Sequence, residues 1–345
     1  MSERSTLSEL FEKFNDSSVT QENTRNKCRT AWRALIGMLG PGFEAEAVTG
    51  EHIDRFQRTL RDATVRRTGT GYSEHSIFSY ISALSQVFRW AADCGYVRVN
   101  PVATCHRMRA TKKKVHIYSR DEITDILDTV RGNRDKRIMA LGWPDGAGVL
   151  RWTGFILVAL TGPRIGEIWN LRWDDIDLEE GIIRIQARPD RAGEYWRWGA
   201  KGRNERQVPM SDDLWALLCR FRTVAPWRYP FLKRRTCESM QARIGQLTEA
   251  QRKYPYHNFH RELQLILEVT NARRIAAHAE PIREGKFHTL RKNAATQLAE
   301  QGVPSHFCQE ILGHATDRLT KEVYTFVDQR KCLDESRRAF NAASY

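Results

Sequence analysis

The chain has 345 residues, 41% of them hydrophobic and 10% aromatic, enough for two ordinary domains each with its own core. Formal net charge is +13, and the excess is uneven: residues 1–105 carry 13 Lys/Arg against 12 Asp/Glu, and the remaining 240 carry 42 against 30, which suits a polyanion and nucleic acid first. Seven cysteines without a C-x-x-C pair argue against a disulfide scaffold or a zinc site. The first residues lack a secretory signal, and no apolar run approaches the ~20 residues of a membrane span, so a soluble, cytoplasmic protein is expected.

The first hundred residues read as helical. Short helices are expected near 5–14 and 50–66, and a longer one over 24–39 with Cys28, Trp32, Leu35 and Leu39 on one side. The clearest is 74–92, where Ile77, Ile81, Leu84, Phe88 and Ala91 form one apolar stripe entered through Ser73 as N-cap. Asn100-Pro101 ends this segment, giving an expected first domain over 1–105. Residues 106–118 contain Arg107, Arg109, Lys112, Lys113 and Lys114 and no acid, and are read as a basic linker able to lie along phosphates.

Ser119 with Glu122 forms a capping box that opens a second domain over 119–345. Residues 150–161 read as a buried helix leading to Arg164. Strands are expected at 181–185 and 205–208 around a long polar turn, and Ser211 is expected to cap the next helix. Residues 226–285 read as a longer, partly helical insert around 238–252 and 260–278, and 328–345 as a tail helix. The fold class expected is mainly α with a small antiparallel sheet (α+β).

Four short motifs then follow in order. Thr161-Gly162-Pro163-Arg164-Ile165-Gly166-Glu167 comes first, and Lys201 stands in the turn between the two strands. His288 and Arg291 are three apart, so they share a helix face, while Leu290, Ala294 and Leu298 line another and Gly302 stops the helix. A short helix after Val303-Pro304-Ser305 is expected to bury Phe307 and Ile311 and to end at Gly313, with His314 at its C-terminus. Tyr324 lies ten residues on.

In its Thr-Gly-x-Arg-x-x-Glu turn, hairpin lysine, His-x-x-Arg box, Leu-Gly-His box and following tyrosine, the chain resembles the tyrosine recombinases, the phage-integrase family. Pro163, Lys292 and a spacing from His314 to Tyr324 one residue above the commonest depart from the family pattern. The resemblance implies a helical, SAM-like core-binding domain followed by a catalytic domain. It implies a site-specific recombinase or integrase that acts on double-stranded DNA as a homo-oligomer, a tetramer on paired sites, with no metal, nucleotide or cofactor. It also implies a 3′-phosphotyrosine intermediate on Tyr324. Arg164 and Arg291 would bind the phosphate oxygens, His288 would assist proton transfer, and His314 would stabilise the phosphate. Lys201 would protonate the departing 5′ oxygen and Glu167 would orient a neighbour. A catalytically silent DNA-binding protein on the same scaffold and a type IB topoisomerase-like enzyme are the alternatives. A metal-dependent nuclease fits poorly, because His257 and His260 have no evident third ligand.

Overall fold

The computed structural model describes residues 5–17, 22–63, 69–106, 117–132, 135–141, 147–186, 205–243, 246, 259–283, 285–313, 320–321, 323–325 and 327–328. Lys201, His314, the basic residues Arg107, Arg109 and Lys112–Lys114, residues 244–245 and 247–252 of the helix expected around 238–252, and the 329–345 part of the expected tail helix lie outside them. The chain divides into two compact units, Met1–Lys114 and Val115–Tyr345. No helix among the described residues is long and apolar enough to cross a membrane.

The first unit contains α1 (Leu7–Ser17), α2 (Glu22–Leu39), α3 (Gly50–Asp62) and α4 (Glu74–Asp93). Trp32 is fully buried at its centre, stacked on Phe11 and tilted against Phe88, and its indole N–H donates to the Leu7 carbonyl at 2.8 Å. That single bond satisfies a polar group the core would otherwise strand. Ser73 caps α4 by accepting from the Ser76 amide. Asn100 closes the unit, accepting from the Val102 amide and donating to Ser85.

The second unit begins with α5 (Arg120–Gly132), opened by the Ser119/Glu122 capping box, whose two reciprocal bonds are 2.7 and 3.1 Å. Then come α6 (Lys136–Leu141), α7 (Ala147–Ala159) and α8 (Ile165–Trp169). A three-stranded antiparallel sheet follows, β1 (Ile176–Asp177), β2 (Ile182–Ile185) and β3 (Arg206–Pro209), in that order, with Ile183 opposite Val208 and Ile185 opposite Arg206. Sequence reading found β2 and β3 but not the two-residue β1. The unit ends with α9 (Asp212–Val224), α10 (Arg234–Gln241), α11 (Phe259–Ala276), α12 (Phe287–Glu300) and α13 (Ser305–Leu312), beyond which the described residues from Thr320 to Asp328 are helical.

Described parts of the segment read as an insert pack into the core. Phe259, Leu263, Ile266, Leu267 and Val269 of α11 are buried in the same cluster as Trp152 and Phe155 of α7. Phe259 stacks on Trp152 at 4.1 Å between ring centroids. A buried polar knot ties the same helices: Glu262 accepts from the Arg151 guanidinium and the Trp152 indole, each at 3.2 Å, and from the Lys233 ammonium at 2.9 Å. Helix α11 is apolar on one side because α5 and α7 need a wall, and its one buried carboxylate balances a fully buried arginine. Removing one member of such a pair leaves an uncompensated charge. Glu262→Ala is therefore expected to lower unfolding free energy by about 3–5 kcal/mol in urea titrations, and Arg151→Ala, Glu262→Ala together by less than the sum of the two single changes.

Candidate active site

The site is built on the C-terminal end of α13. A helix leaves its last carbonyls without partners inside the helix and carries partial negative charge there. Three successive carbonyls each receive a guanidinium from a different element. Ile311 accepts from Nε of Arg206 at 2.7 Å, Leu312 from Nη2 of Arg291 at 2.6 Å, and Gly313 from Nη2 of Arg164 at 2.8 Å. Arg291 also donates to the Gly162 carbonyl at 2.5 Å, joining the Thr161–Pro163 turn to the same point.

Arg164 is held at the N-cap of α8 by extended backbone (φ −73°, ψ 149°) after Pro163. Glu167, three residues on, reaches back to accept the Arg164 amide at 2.7 Å and its Nη1 at 3.0 Å. The same carboxylate accepts both Nη atoms of Arg206, at 3.1 and 2.5 Å. Burial by itself would raise the Glu167 pKa; the hydrogen bonds and charge of Arg206, then those of Arg164, overcome it, and the group lies below the usual carboxylate range.

Two motif glycines are explained by this crowding. Gly313 has φ +62°, and a Cβ there would lie 2.9 Å from Nη1 of Arg206. Gly162 has φ +112°, and a Cβ there would lie 2.7 Å from the Leu312 side chain. Left-handed backbone and absence of a side chain are needed at both places.

Arg291 was expected to face outward with His288, yet it is 4% exposed. The carbonyls of Gly162 and Leu312 draw its side chain inward, whereas His288, at the first turn of the same helix, stays on the solvent side. Burial first, and the nearby Arg164 charge second, depress the Arg291 guanidinium to about 9, so it remains cationic at neutral pH. The imidazole of His288 is also lowered, by the protein wall around it and then by Lys292, Arg291 and Arg164. It is therefore neutral at pH 7 and able to accept a proton.

Tyr324 sits apart from the guanidinium network. Its hydroxyl donates to the Val303 carbonyl in the turn between α12 and α13 and lies 3.0 Å from Sγ of Cys308. Partial burial and the Cys308 contact push its pKa up, so the phenol stays protonated until something takes its proton. Of the expected apolar side of α13, Ile311 packs against the core and Phe307 does not. Phe307 is 50% exposed, and Cys308 and Leu312 are the buried pair, one residue further round the helix, where Leu312 packs on Ala294 and Ala295.

Sequence reading missed Arg206. Its signal was in the strand alternation: β3 buries Val208, and a period of two puts Arg206 on the same inward face.

The phage integrase family model matches residues 119–331, which contain all six of the sequence-predicted reactive residues. The chain belongs to the phage integrase family, the tyrosine recombinases. The tyrosine recombinase XerC of Xylella fastidiosa is 25% identical over 337 residues, covering 93% of each chain. Among solved structures, the Tn1549 transposon integrase in complex with transposon right end DNA aligns with TM-score 0.68 and 16% identity, over 96% of this chain and 100% of that one. A lambda integrase tetramer bound to a Holliday junction aligns with TM-score 0.58 and 17% identity, over 93% and 77%. At these identities the structures share the recombinase fold, mainly helical with a small antiparallel sheet.

The recombinase concentrates three guanidiniums around one carboxylate. Glu167→Gln is expected to cost about 3–5 kcal/mol at pH 7, because buried positive charges lose their partner. The Glu167 pKa is depressed on folding, so its contribution is complete above the ordinary carboxylate range and is lost as pH falls through the folded value. Urea unfolding at neutral and acid pH should show the difference between wild type and Glu167→Gln narrowing in acid.

Proposed function

We propose that this recombinase cuts and rejoins double-stranded DNA at specific sites by passing a phosphodiester to Tyr324, without a metal ion. The observation that carries this reading is the charge balance of the site. Arg164, Arg206 and Arg291 surround a single carboxylate, Glu167, leaving an excess of two positive charges beside His288. An anion with several oxygens completes such a pocket, and a phosphodiester is one.

In the proposed reaction the scissile phosphate lies against Arg164, whose side chain keeps 32% exposure, with Arg291 behind it. Their fixed charges stabilise the transition state, where negative charge spreads over the non-bridging oxygens. The Tyr324 hydroxyl leaves Val303 and Cys308, gives its proton to neutral His288 and attacks phosphorus. The phosphorus–O5′ bond breaks as Lys201 donates a proton to the departing oxygen, and His314 bonds the phosphate. The products are a 3′-phosphotyrosine and a free 5′-hydroxyl. Attack by the 5′-hydroxyl of a second strand reverses the sequence and restores the phenol, so the bond energy is conserved.

The helical first unit and the basic residues Arg107, Arg109, Lys112, Lys113 and Lys114 are assigned to clamping the duplex through its phosphates. A tetramer of this chain on paired sites, acting on cytoplasmic DNA, is the assembly proposed. The lambda integrase tetramer on a Holliday junction supports it by analogy of fold.

Covalent trapping tests the reaction. Nicked duplex fragments from the DNA flanking the gene are incubated with protein, denatured, and assayed for DNA that stays attached. Wild type is expected to form adducts in EDTA as well as in magnesium, and Tyr324→Phe none. Selective binding with no adduct would instead identify a silent DNA-binding protein on this scaffold.

The pH dependence tests His288. Its folded pKa lies below the ordinary histidine range, so adduct formation should hold steady at neutral pH and decline only below that range, as the base becomes protonated. In His288→Gln the rate should drop by roughly 10²-fold or more and the acid decline should flatten.

A further inference from the structure

We propose that Arg206 is a positioning residue for strand transfer, the hub through which the hairpin carrying Lys201, the turn carrying Arg164 and the helix end preceding His314 are held in one register. The proposal rests on the phosphotyrosine reading above and adds a residue that reading does not use.

The case starts from an unfavourable placement. Arg206 begins β3 on its inward face, with 2% of its side chain exposed. A guanidinium so buried is costly unless each face of its fork is used. Here it is. Nη1 and Nη2 bind the two oxygens of Glu167, the same atoms that fix the Arg164 amide and Nη1. Nε binds the Ile311 carbonyl, two residues before Gly313, whose own carbonyl takes Arg164. Gly313 comes so near Nη1 of Arg206 that it has no room for a side chain.

A salt bridge serving only stability would need the carboxylate alone. This fork instead spans two elements, and both lead directly to a proposed reactive group. Arg164 is the next link from Glu167, and His314 is the next residue after Gly313. Lys201 stands five residues before Arg206 in the sequence. A lysine at 206 keeps the charge but cannot reach Glu167 and Ile311 together, because its single ammonium is a point and not a planar fork.

The experiment compares wild type with Arg206→Lys on nicked fragments recovered by trapping, at saturating DNA. Transfer to Tyr324 is expected to slow on the order of 10²-fold, with DNA affinity unchanged, the signature of misplaced reactive groups. A pH profile adds a readout that simple loss of stability would not move. Glu167 is faced by Arg164 from the start of α8, by Arg206 from β3 and by Arg291 from α12. Weakening the largest of these partners raises the pH at which the carboxylate protonates and releases Arg164. In a His288→Gln background, where the decline set by the imidazole is removed, the remaining loss of transfer in acid should therefore begin at higher pH with Arg206→Lys than with Arg206.

A second measurement needs no DNA. The guanidinium resonances of Arg164, restrained by Glu167 and Gly313, should broaden toward free rotation in Arg206→Lys. Wild-type transfer rate and unchanged Arg164 resonances in the folded variant would overturn the proposal. Altered resonances with a wild-type protein inert on all DNA would uphold Arg206 as the holder of Arg164 and overturn the phosphotyrosine reading instead. If Arg206→Lys does not fold, Arg206→Gln, in which Glu167 keeps Arg164 as its partner, carries the same two measurements with the same expectations.

Discussion

The end of one eight-residue helix organises this site. Ile311, Leu312 and Gly313 present three carbonyls that no turn of α13 can satisfy, and each is taken by an arginine from a different part of the second unit. Hydrogen bonds to a charged donor contribute about 1.5–3 kcal/mol each, more than neutral ones, and the helix dipole adds to the attraction. Because arginines from β3, from the N-cap of α8 and from α12 all bond the same short stretch of backbone, none of these elements can shift without disturbing the others. The motif residues far apart in sequence, Arg164, Arg291 and the Leu312-Gly313 pair, become one object at this point.

That arrangement has an electrostatic consequence. Burial first, and the repulsion between neighbouring guanidiniums second, depress the pKa of Arg291, and Glu167 offsets only part of this. His288 is lowered as well, by burial first and then by Lys292, Arg291 and Arg164. An anion entering the pocket relieves the repulsion, whereas a cation or a neutral ligand does not. The protein thus holds a site for negative charge in advance, and the stability of the second unit covers its cost through the aromatic core around Trp152, Phe155 and Phe259 and the Arg151–Glu262 pair. Tyr324 is kept outside this field by its bond to Val303. A phenol near several cations would ionise more readily, so its separation keeps the hydroxyl protonated until it moves.

Most secondary structure was legible from local rules. Ser73, Ser119 and Ser211 each announce a helix start because their hydroxyls accept an amide the helix cannot satisfy, and all three do so. Gly302 and Gly313 announce stops and adopt positive φ. Errors came where burial is decided by a distant partner. Phe307 reads as core by hydrophobicity, but the neighbours supplied by α12 sit one residue further round, over Cys308 and Leu312. Arg291 reads as surface by charge, but two carbonyls from remote turns bring it inside. Residues 226–285 read as an insert because the stretch from Lys201 to His288 is longer than in compact family members, and only the fold places the expected helix there, α11, in the core.

Local sequence carries the helix starts and stops, the two hairpin strands, the mixed helical class and the identity and order of the motif residues. Those properties follow from contacts within a few positions or from residue types that only certain chemistry requires. Tertiary structure decided which charged groups are buried, which carbonyls they satisfy and that Arg206 belongs with Arg164 and Arg291. A guanidinium's partners are fixed by where other chain segments end in space, and Ile311 lies over a hundred residues from Arg206, too far for any local pattern to disclose.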